Sequence, residues 1–285
     1  MLKFVAGILV FVIGFVLQTA SISAAEKKWT LAEINDTIEQ TNFVVNSGCS
    51  GTLISIKLKL ILTNYHCVEE KVSIIEREVT TDTGITRKVR FRKYGDVDVV
   101  QHGYDNFARV STSSYFAEIV AAEKSRDLAV LKIRSAIPHR LASRILPDTM
   151  KVVRGERVYV VGNPAGLDAT IVEGIVSNLN RTFTFSWTDN EKLAMIQFSG
   201  GIYGGNSGGA LYNAQGYLIG VPAAGNMNAT FIGLAIPIDL VRKVLKDNCL
   251  SSAYSGNEDE DVKCAATKKK RAEDEEKKAN STVDK

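Results

Sequence analysis

The stretch Gly204-Gly205-Asn206-Ser207-Gly208-Gly209-Ala210-Leu211 places one serine between glycines, directly ahead of an apolar run. Glycine adopts backbone angles that residues with a Cβ reach only at a cost, so this composition allows a tight and sterically open turn. A nucleophilic serine needs such a turn, together with free backbone N–H groups directed at the oxyanion that forms during attack. The stretch therefore predicts either a catalytic serine or a plain polar turn between strands. The choice depends on whether a base and an orienting acid lie elsewhere in suitable contexts.

The composition is that of a globular protein and gives no sign of a nucleic-acid partner. The chain has 285 residues, of which 45% are hydrophobic and 24% are charged. This is enough for one large or two small domains. The 35 basic and 32 acidic residues leave a net charge of only +3. Because nucleic-acid binding requires clustered basic residues, this near balance gives no reason to expect it.

Residues 1–25 have the features of a targeting segment for export. Lys3 supplies a positive charge, an unbroken apolar run covers residues 4–17, and Ser23-Ala24-Ala25 offers small residues where a signal peptidase cleaves. The apolar run is short for a membrane-spanning helix, which needs roughly 20 residues. We therefore expect cleavage near Ala24 or Ala25 and a periplasmic or secreted product. The alternative is an uncleaved anchor, the one case in which we expect contact with a membrane.

Four cysteines agree with an oxidising compartment. They allow three pairings, and their spacing favours the local one, which joins Cys49 to Cys67 and Cys249 to Cys264. No CxxC motif or cluster of histidine and cysteine suggests a metal site. We therefore predict neither a metal nor a cofactor.

Short strand patterns dominate the middle of the chain. Within residues 26–42, a capping box at Thr30 and helical spacing predict a short helix. From Phe43 onward, short apolar or alternating runs are separated by glycine and polar residues, which predicts an all-β sandwich or barrel arrangement. A helical pattern closes this region just before residue 248. Residues 249–285 alternate acidic and basic blocks with too few apolar residues to bury a core, so we expect a disordered or loosely helical tail.

Of the three histidines, His66 has the most suitable context for catalysis. It ends an apolar strand pattern, and Cys67 beside it can be locked by a disulfide. His102 lies in a polar loop and His139 in a proline-flanked segment, which are contexts of ordinary surface histidines.

Asp127 stands out among the acids because it directly precedes the buried-strand pattern of residues 128–133. A carboxylate at the edge of a core can be desolvated and can hold one imidazole tautomer through Nδ1. The alternative is that Asp127 merely ends a turn.

The segments around His66, Asp127 and Ser207 follow one another in an order that resembles the trypsin-like serine peptidase superfamily. Further segments resemble its HtrA/Do-like branch, and the resemblance covers about residues 43–245. The matching segments are Thr63-Asn64-Tyr65-His66-Cys67, Asp127-Leu128-Ala129-Val130, Gly205-Asn206-Ser207-Gly208-Gly209, Val161-Gly162-Asn163-Pro164-Ala165-Gly166-Leu167, Gly174-Ile175-Val176-Ser177, 216–220 and Gly233-Leu234-Ala235-Ile236-Pro237.

This resemblance implies an all-β fold of two Greek-key, six-stranded β-barrels, with short helices at the N-terminal and C-terminal ends. The first barrel would cover residues 43–134, a linker 135–148, and the second barrel with its closing helix 149–248. The active site would lie in the cleft between the barrels.

The resemblance also implies an exported serine endopeptidase that acts on polypeptides through an acyl-enzyme. His66 would take the proton of Ser207 and later protonate the leaving amine, while Asp127 orients the imidazole. The N–H groups of Gly205 and Ser207 would bind the oxyanion. The disulfide between Cys49 and Cys67 would match the one behind the catalytic histidine. By analogy, the walls of the substrate-binding pocket would include Ile202, Tyr203, Val221, Pro222, Ala223 and Ala224, without an acid, which predicts small or medium aliphatic P1 residues.

The sequence departs from this family pattern in three places. Asn206 stands where digestive trypsin-like enzymes have an aspartate, so we expect no activation by N-terminal trimming. The interval between His66 and Asp127 is long, and we place the surplus in an insertion over residues 72–114 near the active-site face. The residues after Leu245 are too few and too charged for the PDZ domain typical of the branch, so we expect a stand-alone protease domain.

A second function from another class also fits the sequence, namely a latent or chaperone-like polypeptide-binding module on a protease fold. The glycine pairs 200–201 and 204–205 would make the serine loop flexible enough to rest in an inactive conformation. An autoprocessing protease is a third possibility, although no cleavage motif points to it. The sequence leaves the oligomeric state open.

Overall fold

The structure, a computed structural model, describes residues 28–80, 84, 86–105, 108–226 and 229–281. The expected targeting segment 1–25 lies outside these ranges. Within them, no helix is both long enough and apolar enough to cross a membrane.

The elements follow one another along the chain with mostly short connections. Strands predominate, as the sequence pattern predicts. Their bounds are α1 (Leu31–Thr41), β1 (Asn42–Val45), β2 (Cys49–Ser55), β3 (Leu60–Thr63), β4 (Val72–Thr80), β5 (Thr86–Tyr94), β6 (Val97–Asp105), β7 (Ala108–Glu123), β8 (Leu128–Ile133), β9 (Arg144–Ile145), β10 (Arg157–Gly162), β11 (Thr170–Thr184), β12 (Lys192–Ser199), β13 (Ala210–Asn213), β14 (Tyr217–Asn226), β15 (Ala229–Pro237), α2 (Ile238–Asp247), α3 (Ser252–Ser255) and α4 (Glu258–Ser281).

The first barrel closes through the strand order β1-β2-β3-β8-β7-β6. Successive side chains of a strand point to opposite faces, so alternate residues fill the interior. Phe43, Leu53, Ile61 and Leu131 have no exposed surface and form part of one apolar core. The predicted barrel of six strands is therefore confirmed for this half of the chain.

The second barrel is a ring of β13-β10-β11-β12-β15-β14, which a further pairing between β13 and β14 closes. The short strand β9 adds to β14 in parallel, outside the six-stranded ring that the sequence predicts. Helix α2 covers this barrel because Val241, Val244 and Leu245 are buried in the same core as Phe198 and Tyr212. The predicted closing helix is present.

Helix α1 begins at the predicted capping box and packs against the main body. The N–H of Glu33 donates to Thr30 Oγ1 at 3.2 Å, and the N–H of Thr30 donates back to the Glu33 carboxylate at 2.9 Å. Ile34 and Ile38, one turn apart, are buried. Such a reciprocal cap satisfies backbone donors that the first turn of a helix leaves free.

A buried polar network joins the two barrels. Asn163, which follows β10, donates through Nδ2 to the carbonyl of Phe43 at 2.9 Å. Its Oδ1 accepts from Asn42 Nδ2 at 2.8 Å. Its backbone N–H donates to Ser50 Oγ at 2.8 Å. Buried polar groups are costly unless they are paired, so these matched contacts fix how the second barrel meets the strands β1 and β2.

The predicted insertion contains a two-stranded ribbon of β4 and β5 that stands apart from both barrels. Its nine residue pairs run from Val72 and Tyr94 at the base to Thr80 and Thr86 near the tip. Two hydrogen bonds fix the base. Gly95 N–H donates to the carbonyl of Lys71 at 2.8 Å, and Arg92 donates to the carbonyl of Ala122 at 2.8 Å.

The charged C-terminal stretch forms the helix α4. The sequence had left two alternatives for this tail, a disordered one and a loosely helical one. The disulfide Cys249–Cys264 ties this helix to the end of α2. Ser252 N–H also donates to the Asp261 carboxylate at 3.2 Å. Most of the described side chains of α4 are exposed, so these local ties rather than an apolar face hold it against the protein.

Candidate active site

His66 and Asp127 meet as the sequence predicts. The Asp127 carboxylate is 1% exposed, and its two oxygens lie 3.0 and 2.9 Å from His66 Nδ1. Oδ1 also accepts the backbone N–H of His66 at 3.0 Å. Asp127 ends a 3-10 turn in the left-handed conformation, with φ of 51°, so it both closes a turn and binds the histidine. A carboxylate in this position holds the Nδ1–H tautomer, which leaves Nε2 free to accept a proton.

Trp187 supplies a further hydrogen bond to the same carboxylate, which the sequence analysis did not anticipate. Its indole N–H donates to Asp127 Oδ2 at 3.2 Å, and its ring lies 5.6 Å from that of His66. The ring of Phe185 stacks on that of Trp187, with 4.7 Å between the ring centroids. Trp187 therefore contacts both members of the pair.

The loop that carries Trp187 is tied to the histidine turn by an ion pair. Lys124 Nζ lies 3.2 Å from the Glu69 carboxylate and 3.0 Å from that of Asp189. Hydrogen bonds to Asp189 and Glu69 raise the pKa of Lys124. The lysine therefore stays charged and connects the two loops on either side of Asp127.

The serine turn lies against the first barrel at distances that only glycine permits. Gly208 has φ of +82°, and a Cβ on it would fall 2.2 Å from the carbonyl oxygen of Ser50 and 2.2 Å from Thr63 Oγ1. Gly205 has φ of +105°, and its Cβ would fall 2.2 Å from the carbonyl oxygen of Asn163. Both positions thus need glycine for space as well as for conformation. These contacts place the turn at the junction of the two barrels.

Each carbonyl from residue 204 to residue 207 has a hydrogen-bond donor. Gly204 O accepts from the N–H of Ala165 at 2.8 Å, and Asn206 O accepts from the N–H of Gly209 at 3.0 Å. Ser50 supplies the other two donors. Its Oγ binds Gly205 O at 2.6 Å and its N–H binds Ser207 O at 2.7 Å.

This anchoring sets the direction of the two N–H groups predicted for the oxyanion hole. In a trans peptide the C=O and the following N–H point to opposite sides. The fixed carbonyls of Gly204 and Asn206 therefore turn the N–H groups of Gly205 and Ser207 away from the loops that hold them. Within the described part of the chain, neither N–H has an acceptor. Two free donors flanking a nucleophile are what an oxyanion requires.

Ser207 lies beside the histidine turn but is not hydrogen-bonded to its ring. Its Oγ donates to the carbonyl of Ala223 at 3.5 Å. Its carbonyl oxygen lies 3.7 Å from Cys67 Sγ, next to His66 in the chain. Among the described residues, no hydrogen bond joins Ser207 Oγ to His66. Such catalytic hydrogen bonds are often long without substrate, and a change of the serine rotamer alone moves Oγ.

The predicted substrate-pocket residues do not all face the cleft. Val221 has no exposed surface and packs in the second core, so it cannot contact a substrate, which corrects that prediction. The carbonyls of Pro222 and Ala223 hold the serine turn, because they accept from Gly208 N–H at 3.0 Å and Ser207 Oγ at 3.5 Å. Tyr203 is 61% exposed.

Ile202 and Ala224 lie at the apolar edge of this region. A Cβ on Gly225 would fall 2.9 Å from Ile202 Cγ2, so Ile202 already occupies the space beside that strand. The side chains of Ile202 and Ala224 are partly buried against the second core. Ile202 therefore packs directly against Gly225 and gives this edge an apolar surface.

The neighbouring cysteines are joined and do not form a metal site. Cys49, Cys67 and His66 are a cluster of metal-ligand types among the described residues. However, Cys49 and Cys67 form a disulfide with S–S of 2.01 Å. A thiolate is the form that binds metal, so neither sulfur is available as a ligand while the bond is intact.

The other two histidines are remote from the pair. His102 Nδ1 lies 3.0 Å from Thr112 Oγ1 on an exposed hairpin. His139 Nε2 lies 2.6 Å from Gln101 Oε1, and burial lowers the pKa of His139. Neither contacts Ser207 or Asp127.

The fold and this arrangement define a class, that of the double-barrel serine peptidases. Comparison with known proteins agrees, because the profile described as the trypsin-like peptidase domain matches residues 49–221. The chain therefore belongs to the trypsin-like peptidase family.

Its similarities lie in the HtrA-like branch. An HtrA-like serine protease of Staphylococcus aureus (strain USA300) is 36% identical over 145 residues, which are 48% of this chain. The matched part makes up only 19% of the length of that relative. Among solved structures, the HtrA-type protease AlgW with a decapeptide has a TM-score of 0.50 at 26% identity, covering 70% of this chain and 51% of that one. The serine endoprotease from Yersinia pestis has a TM-score of 0.52 at 25% identity, covering 75% and 66%.

Replacing Ser50 by alanine tests how the serine turn is held. Ser50→Ala removes the hydrogen bond to Gly205 O and the acceptor of Asn163 N–H, which gives the adjacent peptide groups freedom to rotate. We expect kcat on a peptide substrate to fall about 10-fold with little change in KM, because an oxyanion donor acts mainly in the transition state. Ser55→Ala, on the same strand, is the matched control. Equal kcat in the two variants would contradict this account.

Replacing Trp187 by phenylalanine removes the N–H donor to Asp127 and keeps an aromatic ring beside Phe185. We expect kcat/KM to fall about 10-fold, since hydrogen bonds to charged groups are among the stronger ones and this bond helps to hold the carboxylate. Phe185→Leu disturbs the same stack but keeps the N–H, and we expect a smaller loss. If Phe185→Leu is the more damaging variant, packing rather than the hydrogen bond is what matters.

Proposed function

We propose that this chain is an exported serine endopeptidase that cleaves polypeptides through Ser207, His66 and Asp127. The observation that carries the proposal is the fixed set of carbonyls in the serine turn, which leaves the N–H groups of Gly205 and Ser207 free. The buried pair of His66 and Asp127 at the same junction supports it. Export is supported by the targeting features of residues 1–25 and by the two disulfides.

In the proposed reaction, Ser207 Oγ attacks the carbonyl carbon of the scissile peptide while His66 Nε2 takes the hydroxyl proton. The N–H groups of Gly205 and Ser207 donate to the oxyanion, a contribution of about 10²–10³ in rate for one such donor. His66 then gives its proton to the leaving amine, and an acyl-enzyme remains on Ser207. A water molecule, deprotonated by His66, attacks this ester and releases the acid. Asp127 orients the imidazole and stabilises the imidazolium through its hydrogen bond to Nδ1.

The hydrogen-bonded carbonyls of the serine turn also weigh against the alternative function, a latent polypeptide-binding module. A resting, inactive serine loop requires peptide groups that turn away from the oxyanion position. Here Ala165, Ser50 and Gly209 hold the carbonyls of residues 204–207. Rotating either peptide would break at least one of these hydrogen bonds, so they support an oxyanion hole that is ready before substrate arrives.

Small or medium aliphatic residues are the proposed P1 preference. Ile202 and Ala224 offer an apolar edge, and the contact between Ile202 and Gly225 leaves little depth beyond it. A long basic side chain would find neither the room nor an acidic partner among the predicted pocket residues. Asn206, which is buried and uncharged, offers no ion pair either.

Ser207→Ala is the variant that tests the proposed nucleophile. Wild-type protein should react with a fluorophosphonate probe and hydrolyse casein and small aliphatic P1 peptides from a library. Ser207→Ala should lose the labelling, and its kcat should fall by about 10⁴-fold or more. Ser73→Ala, an accessible serine on the ribbon, is the matched control and should label normally.

Each alternative outcome identifies a different error. Labelling that persists in Ser207→Ala would show that another residue is the nucleophile. A wild-type protein that neither labels nor cleaves unfolded casein would favour the latent binding module. A library profile with a peak at arginine or lysine would overturn the P1 preference while leaving the nucleophile unaffected.

A further inference from the structure

The two faces of the β4–β5 ribbon differ in charge balance. Directly opposite residues of an antiparallel pair share a face, and alternate residues along a strand share it too. On one face Glu76 lies opposite Arg90, with the carboxylate 2.9 Å from the guanidinium, and Glu78 lies opposite Lys88. Its acids are therefore matched by bases.

Among the described residues, the opposite face carries mostly exposed apolar and basic side chains and no acid. We call it the basic apolar face, and it consists of Ile75, Arg77, Val79, Arg87, Val89 and Phe91, with Lys93 at its base. Val79, Val89 and Phe91 are 41%, 37% and 41% exposed. Arg77 and Arg87 have no ion-pair partner among the described residues. This face is therefore complementary to a partner that has both acidic and apolar side chains.

The strands of the ribbon also have unpaired outer edges. Within the described structure, β4 and β5 pair only with each other. Each strand is therefore bordered on one side by N–H and C=O groups that an added strand can bind. An extended polypeptide can pair with such an edge and place alternate side chains on the adjoining face.

The base of the ribbon is continuous with the active-site cleft. The turn Glu69–Lys71 immediately precedes β4. Glu69 and Glu70 line an open cleft together with His66 and the disulfide of Cys49 and Cys67. The leaving amine must lie within reach of His66 to be protonated, so the departing part of a substrate passes this turn. Glu69 and Glu70 each have a lysine partner, Lys124 and Lys71, which reduces their repulsion of an acidic segment.

We propose that the ribbon is an exosite for polypeptide substrates. An extended segment with acidic and aliphatic residues, on the leaving side of the scissile bond, pairs with a ribbon edge and places its alternate side chains beside the basic apolar face. This inference rests on the proposed peptidase function and names the substrate class more closely. The nine residues of each strand give the exosite a length of about 30 Å.

The test measures binding separately from cleavage, on mature protein that carries Ser207→Ala. The probe is a fluorescein-labelled peptide that spans at least the nine residues of β4. Every second position carries glutamate and valine in turn, with serine between them, so that one face of the bound strand presents both side chains. A second peptide has lysine in place of each glutamate. We expect fluorescence anisotropy to detect binding of the first peptide only, and salt to weaken it.

Matched substitutions on the two faces separate a specific site from general charge. Arg77→Glu and Lys88→Glu change the net charge equally but lie on opposite faces, and Phe91→Ser and Ile74→Ser form the corresponding apolar pair. We expect Arg77→Glu and Phe91→Ser each to weaken binding by about fivefold or more. Lys88→Glu and Ile74→Ser should change the affinity for the acidic peptide by no more than about twofold. Circular dichroism melting verifies that all four variants fold.

Several results would overturn the exosite. Equal losses of affinity from substitutions on the two faces would mean that the peptide is attracted by charge without a specific site. If the folded protein does not bind the acidic peptide at all, the ribbon is not an exosite. Face-dependent binding to phosphatidylglycerol vesicles without peptide binding would assign the face to a lipid surface instead. Fluorophosphonate labelling of the wild-type chain is independent of all three results. Failed labelling with intact peptide binding would therefore reject the peptidase function and not the ribbon site.

Discussion

The contact between Ser50 and the serine turn is the constraint on which the site depends. This one residue of the first barrel binds two carbonyls of the turn, at Gly205 and Ser207, and accepts the N–H of Asn163. It therefore links the position of one barrel to the backbone direction in the other. Because the contact is between barrels, the serine turn can adopt this conformation only when both halves are folded and docked.

The backbone of the serine turn approaches the backbone of Ser50 and Asn163 closely at this junction, which explains why glycines dominate the turn. Gly205 and Gly208 combine positive φ with backbone atoms so near that any Cβ would overlap them. The glycine-rich stretch 204–211 is consequently less flexible than its composition suggests, because hydrogen bonds fix the carbonyls of residues 204–207. Trp187 and Lys124 have the corresponding role on the other side of the cleft, where they hold the loops that enclose Asp127.

Much of the fold could be predicted from local patterns. The capping box at Thr30, the strand pattern from Phe43 and the helical spacing after residue 237 all correspond to elements of the structure. Other features required the tertiary structure. The strand pattern could not reveal that Val221 faces the core, since a strand of a closed barrel has an apolar interior and the cleft takes only part of its outer surface. Likewise, β9 is too short to give any periodic signal.

The sequence by itself determined the residue types and their order, because glycine, serine, histidine and aspartate at the ends of apolar strands carry chemistry that local context can reveal. It also determined the charge content of the insertion. Only the tertiary structure decided that Ser50 and Trp187 belong to the site, since Trp187 is 60 residues from Asp127 and Ser50 is 155 residues from Gly205 along the chain. It alone separated the balanced and the basic faces of the ribbon. The physical reason is that hydrogen bonding and burial depend on which strands become neighbours in space, and no local pattern records that.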